Sequence, residues 1–251
     1  MLRLLADDLT GALDSAAPFA AARGALPVWW RDLEVAGGDA AFDSETRDAA
    51  TSVARARVAR LARHMIGAEL AYKKIDSCLR GQPAAEIAAA SHEGCFRTIV
   101  VAPAFPAQGR VTRDGRQLVR DGDGWRDTGV DFVRELAAEG LMARHGAPRP
   151  GGGVFVCDAD HDADLTEIAA SPGLSRPVLW CGSGGLARAL AGPAAYLSVA
   201  DALPPPTLLV VGTAHPATLA QLALLDELPS DIRIARVDLP PGSPAAHARA
   251  A

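Results

Sequence analysis

The chain is 251 residues long, enough for one large domain or for a domain and part of a second. Hydrophobic residues make up 49% and charged residues 22%, an ordinary globular mix that excludes a disordered, collagen-like or disulfide-scaffold chain. A formal net charge of −5, with no run of basic residues, argues against a nucleic-acid partner.

Short apolar runs rich in β-branched residues alternate with Ala-, Leu- and Arg-rich stretches of helical period. That alternation predicts an α/β fold, a Rossmann-like, mostly parallel sheet flanked by helices. In chain order, strands are expected at 2–6, 26–30, 40–42, 69–75, 98–102, 154–157, 178–181, 208–211 and 232–237. Helices are expected near 11–22, 48–65, 83–91, 130–141, 162–170, 185–191 and 216–227. Within 47–65, Val53, Val58, Leu61 and Met65 form an apolar stripe, and the arginines form a solvated outer face. The segment 110–128 breaks the rhythm. Gly115, Gly122 and Gly124 and the polar tip Asp121–Gly124 predict a β-hairpin excursion placed to cover a site. Pro204, Pro205 and Pro206 punctuate the chain, so the expected domains are 1–203 and a segment 207–251 too short to stand alone.

The apolar runs are too short to span a bilayer, and Met1 leads into a strand-like Leu-Arg-Leu-Leu in place of a signal peptide; a cytoplasmic location is expected. Cys78, Cys95, Cys157 and Cys181 are scattered without a CxxC pair, the pattern of reduced structural thiols. The six histidines show no HxH or HxxxH spacing, so no histidine-built metal site is expected.

Ligands of open α/β sheets bind beyond the carboxyl ends of the strands, and four such loops here are unusually polar. They run Asp7–Gly11, Asp43–Arg47, Lys74–Gly81 and Pro103–Arg110. Asp7 and Asp8 point to opposite sides of a strand end, so one is expected to face a ligand and the other to cap the following helix. A haloacid-dehalogenase reading fails because Ala6 stands where its nucleophilic aspartate belongs. All but two of the 25 basic residues are arginine, and those two are Lys73 and Lys74, side by side at a strand end. A compact ammonium approaches an anion where a guanidinium does not fit. Alternation places Lys74 with Asp76 on the ligand side; the competing reading is a solvated pair on an edge strand. Arg80 and Arg110 adjoin glycines and can clamp an anion, while Asp8, Asp76 and Ser77 supply acceptors and a hydroxyl suited to a polyol. A small acidic substrate is expected. The loop Gly182–Gly185 opens a helix and suits an anion; with Ala187 it reads GxGxxA, followed by Asp201, a weak nicotinamide signal that a tight turn also explains. There is no GxxxxGK[ST] phosphate loop.

Five strings occur in order: ADDLTGA (6–12), KKIDSCLRG (73–81), APAFPAQGR (102–110), DADHDADL (158–165) and CGSGGLARALA (181–191). Together they resemble the four-carbon acid sugar kinase family over residues 1–225. The resemblance implies phosphorylation of threonate- or erythronate-type acids with ATP and Mg2+. It implies an amino-terminal domain that holds the acid and a carboxy-terminal one that holds most of the nucleotide. It assigns Asp8, Lys74, Asp76, Ser77 and Arg80 to the sugar acid, with Asp7, Gly81, Arg110 and Ser183 beside them. Asp8, before Asp76, is the expected residue to orient or deprotonate the attacking hydroxyl. VGTAHPATLAQ (211–221) resembles the opening of the nucleotide domain, which implies Gly212 and Thr213 as nucleotide contacts. The chain ends at Ala251, before the family's glycine-rich segment around ATP. It is therefore expected to supply mainly the substrate half, completed by a homo-oligomer or a complementary nucleotide-binding chain. Cys78 stands where the family more often has threonine. The alternative is a sugar-acid-binding module without phosphoryl transfer.

Overall fold

The computed structural model describes residues 1–30, 37–193, 211 and 216–225. The chain divides into two compact units, 1–198 and 199–251. In the second, the described element is the helix α8 (Pro216–Leu225); the strands expected at 208–211 and 232–237, the Pro204–Pro206 stretch and Asp201 lie outside the described residues, Val211 excepted.

The first unit contains, in chain order, strands β1 (Leu2–Ala6), β2 (Val28–Trp29), β3 (Ala40–Asp43), β4 (Leu70–Lys74), β5 (Thr98–Ala102), β6 (Arg110–Arg113), β7 (Arg116–Asp121), β8 (Gly124–Asp131), β9 (Ala143–His145), β10 (Gly153–Val156) and β11 (Val178–Gly182). Its helices are α1 (Leu9–Ala16), α2 (Ala20–Arg23), α3 (Thr51–Ala62), α4 (Pro83–Gly94), α5 (Phe132–Ala138), α6 (Asp162–Ala169) and α7 (Gly184–Ala191). Eight strands form one sheet in the order β2-β3-β1-β4-β11-β5-β10-β9, with every described pairing parallel. The expected α/β sheet flanked by helices is the fold observed.

A parallel sheet covered on both faces needs strands that are apolar on both sides. β5 meets this: Ile99 and Val101 enter the core under α3, α4 and α5, while Val100 and Ala102 enter the core under α1, α6 and α7. The stretch expected as one helix over 11–22 is α1, a 3-10 turn Ala17–Phe19 and α2, because Pro18 lacks the N–H that would continue α1. In α3 the buried stripe is Ala54, Val58, Leu61 and Ala62, continued by Met65, whereas Val53 is exposed. The small Ala54 takes the core position expected of Val53, and the helix begins four residues later than Arg47.

The excursion at 110–131 is a three-stranded antiparallel sheet, β6-β7-β8, one strand more than the predicted hairpin. Its first turn, Asp114-Gly115, has φ of +50° and +73° at its two residues, the conformation a two-residue turn between twisted strands requires. β9 was not anticipated; Ala-Arg-His offers no apolar run to read.

Candidate functional site

The chain leaves β1 toward β3 on one side and returns through α3 to β4 on the other, so the strand order reverses between β1 and β4. α1 packs on one face of the sheet and α3 on the opposite face. The loops beyond β1 and β4 therefore diverge and leave a crevice, the usual ligand position in such sheets. A cavity of about 310 Å³ lies there. Asp8, Lys74, Asp76, Ser77, Arg80, Arg110 and Ser183 all line it, as do Thr10, Gly11, Asp14, Arg47, Cys78, Phe105, Gln108 and Gly184. Its residues come from the polar loops after β1, β3, β4 and β5, joined by the loop after β11.

Lys74 and Lys73 do not form a solvated pair. β4 is a central strand, and the two residues are 6% and 0% exposed. Lys73 turns away from the cavity to an ion pair with Glu86 (2.7 Å) and donates to the Lys74 carbonyl (2.8 Å). Lys74 turns into the cavity and makes no hydrogen bond or ion pair among the described residues. Burial, with the charge of Arg47, holds its pKa below the ordinary lysine value, against the pull of Asp7, Asp8 and Asp76. Gly11 makes room for it: a Cβ there would stand 2.5 Å from Asp8 Oδ1 and 3.0 Å from Lys74 Nζ.

Asp8 both lines the cavity and caps α1, so the cap expected of one aspartate and the cavity-side position expected of the other fall on the same residue. Its Oδ1 accepts from the Gly11 N–H (2.9 Å), capping α1, and from Arg47 (2.8 Å), while its Oδ2 has no partner among the described residues. Asp7 is 3% exposed and does not line the cavity. It is bound by the Arg47 guanidinium through Nε and through Nη2 (2.9 Å). Burial opposes ionisation of Asp7, but the Arg47 hydrogen bond and the charges of Lys73, Arg47 and Lys74 hold its pKa below the usual carboxylate range.

Arg47 lines the cavity, although the sequence pattern places it with the arginines of a solvated helix face. It precedes α3, and its guanidinium turns inward to Asp7 and Asp8 and lies 3.6 Å from Asp76. One cation thus gathers three carboxylates from two strand ends. Its place in the polar loop Asp43–Arg47 was the available signal.

Asp76 organises its own loop. Its carboxylate accepts from the N–H groups of Cys78 (3.2 Å) and Arg80 (3.1 Å) and from the Arg80 guanidinium at 2.9 and 3.0 Å. Burial opposes ionisation, but these bonds and the charge of Arg47 keep its pKa lowered. Gly81, φ +82°, does not line the cavity; a Cβ there would stand 3.1 Å from the Arg47 carbonyl, so its role is to let the two loops approach. Asp7 and Asp76 both bind protons less readily in the folded chain than unfolded. The stability they contribute is present above the reference pKa of 3.8 and is lost as pH falls through their folded values. Urea unfolding of the wild type is expected to weaken steeply below about pH 4, and Asp76→Asn to flatten that dependence. Equal slopes would show that Asp76 is not held this way.

Two other predicted residues are only partly available. Ser183 caps α7 through the Gly185 N–H (3.2 Å) and donates to the Ala104 carbonyl (2.6 Å), so its hydroxyl is engaged by the fold. Arg110 donates Nη1 to the Gln108 carbonyl (2.6 Å), leaving a buried Nε without a partner among the described residues. Gly212 and Thr213 lie outside the described residues. The string 158–165 does not reach this cavity: Asp158 holds the β6–β7 turn through the N–H groups of Asp114 (2.8 Å) and Gly115 (2.9 Å), and Asp164 caps α6. Asp14, on α1, was missed because it sits inside a helix rather than at a strand end. Among the described residues no group of three or more His, Cys, Asp or Glu side chains is placed to share a metal ion, and no helix is long and apolar enough to cross a membrane.

Fold and cavity together define a doubly wound α/β domain with a pocket at its switch point lined by both cations and carboxylates. Residues 2–148 match the family model of a sugar-binding N-terminal domain. The chain is 37% identical to a D-threonate kinase of Cupriavidus necator over 89% of its own length and 63% of that protein. It is 34% identical to a D-threonate kinase of Bordetella bronchiseptica, with 89% and 62% covered. A crystal structure from Bordetella bronchiseptica, of a domain of unknown function with bound citrate and described as a domain-swapped dimer, shares 29% identity and a TM-score of 0.61 over 76% of this chain and 55% of that one. The chain belongs to the four-carbon acid sugar kinase family, and it spans about three fifths of the length of these two kinases.

Proposed function

We propose that this chain binds a four-carbon sugar acid of the threonate type and serves as the substrate half of an ATP-dependent sugar-acid kinase. The observation that carries this reading is the buried ammonium of Lys74, without a partner among the described residues, beside Asp8 in a cavity of about 310 Å³. That volume is at the small end of ligand pockets, which run roughly 300–1,000 Å³. It suits a four-carbon acid and is too small to hold a nucleoside triphosphate as well. The D-threonate kinases at 34–37% identity and the citrate in the Bordetella bronchiseptica structure support an acid of this class.

In this reading Lys74, Arg80 and Arg110 supply the positive charge for the substrate carboxylate. Asp8 is the catalytic residue: its Oδ2, without a partner among the described residues, takes the proton of the attacking hydroxyl, while Gly11 and Arg47 hold Oδ1 still. Asp76 is unsuited to that role, because its oxygens already accept four hydrogen bonds. When bound, ATP with Mg2+ supplies the phosphoryl group. Gly212 and Thr213 are its proposed contacts. A cytoplasmic location and a self-associating assembly complete the proposal, the latter supported by the domain-swapped dimer of the relative and tested by gel filtration.

Calorimetry with D-threonate and D-erythronate, then with ATP and magnesium, tests the reading. Asp8→Asn is expected to keep acid binding within a few-fold and to lower phosphorylation by about 10²–10⁴-fold. Binding without turnover in the wild type would reduce the chain to a binding module. No binding of either acid would overturn the proposal.

A further inference from the structure

The β6-β7-β8 sheet is largely exposed or half-buried, yet Thr112 and Gln117, a register pair on one of its faces, are each only 1% exposed. Gln117 is the unusual one, a buried carboxamide in a strand whose other residues are partly or fully exposed. It is fully used. Its Oε1 accepts from the Thr112 hydroxyl (2.7 Å), its register partner across β6 and β7. Its Nε2 donates to the Ser77 carbonyl (2.8 Å) and approaches the Pro103 carbonyl (3.5 Å). One side chain therefore joins the excursion to the loop after β4 and to the loop after β5.

These attachments meet at the cavity. Ser77 lines it from the β4 side, and Arg110, two residues before Thr112 on β6, lines it from the other. Other ties hold the excursion elsewhere: the Phe105–Arg110 backbone pair joins the start of β6 to the loop after β5, while the Thr112–Ala159 backbone pair, the Arg113–Asp160 ion pair and Asp158 with the Asp114-Gly115 turn join it to the segment after β10. Of these, the Gln117 amide is the one that fixes the excursion against the Ser77 loop.

We infer that Gln117 is a positioning residue for the sugar-acid site, setting the placement of Ser77 relative to Arg110 through its side-chain amide. The inference rests on the proposed sugar-acid function. A buried amide whose donor is removed leaves a carbonyl unsatisfied, and the loop bearing it moves to find water.

Two variants of the full chain separate the amide from the volume it fills. Gln117→Met keeps the length and apolar bulk; Gln117→Glu keeps the acceptor toward Thr112 and loses the donor toward Ser77. Both are expected to weaken D-threonate binding at least tenfold by calorimetry. Both are also expected to speed amide hydrogen exchange at Cys78, Leu79 and Arg80 at least tenfold, with β10 and β11 unchanged. If the side chain serves only as packing, Gln117→Met would bind and exchange like the wild type, and the inference would be wrong. Wild-type failure to bind D-threonate would sink the functional reading instead. In that case the exchange rates alone decide: acceleration confined to the Ser77 loop supports the role of Gln117, and unchanged rates overturn it.

Discussion

Lys74→Met is expected to weaken threonate binding roughly 10- to 150-fold, the range for losing a hydrogen bond to a charged group, with no fall in melting temperature. The two halves of that expectation have one cause. An ammonium on a residue that is 6% exposed, with no partner among the described residues, works against the fold, so removing it relieves a desolvation cost while removing the charge an anion would meet. Lys74→Arg is expected to lose affinity as well, because the space beside Gly11 admits an ammonium and little more: a Cβ at Gly11 would already stand 3.0 Å from Nζ. The pH dependence has a definite sign. Since burial lowers the pKa of Lys74, affinity is expected to fall as pH rises through that lowered value, before the reference value of 10.5 is reached. Calorimetry across that window, with Lys74→Met as the flat control, would expose the error if the wild type proved equally flat.

Lys74 was legible because the chain is otherwise built with arginine, so a residue type used twice marked its own position. Asp8, Asp76, Ser77 and Arg80 were legible because strand ends of a parallel sheet share one edge, and a list of strand ends is nearly a list of site residues. The same logic explains the failures. Arg47 was hidden by abundance: among so many arginines, one that turns inward to three carboxylates looks like its neighbours on α3. Asp14 and Gln117 sit within a helix and a strand, where the strand-end rule is silent. Alternation alone assigns the cap and the cavity-lining position to two different residues, Asp7 and Asp8, whereas Asp8 holds both. The two strand runs after residue 198 lie outside the described residues, save Val211, so the fold reading rests on the first unit.

Lys73 gives the largest expected stability effect. Its ammonium and the Glu86 carboxylate are 0% and 1% exposed, Nζ lies 2.7 Å from Oε2, and Oε1 has no hydrogen-bond partner among the described residues. Lys73→Met leaves that carboxylate buried alone, a change that typically costs about 3–5 kcal/mol. At roughly 2–4 °C per kcal/mol for a unit of this size, the melting temperature is expected to drop by roughly 6–20 °C. The double variant Lys73→Met/Glu86→Leu removes both charges and is expected to recover most of that loss, because the ion pair itself offsets little more than its own desolvation. Stability is then restored without restoring the bond from Lys73 Nζ to the Lys74 carbonyl. Thermal denaturation of the single and double variants checks the expectation. A single variant as stable as the wild type would mean that Glu86 finds another way to be satisfied, and a double variant no better than the single one would mean that shape, not charge, holds α4 against β4.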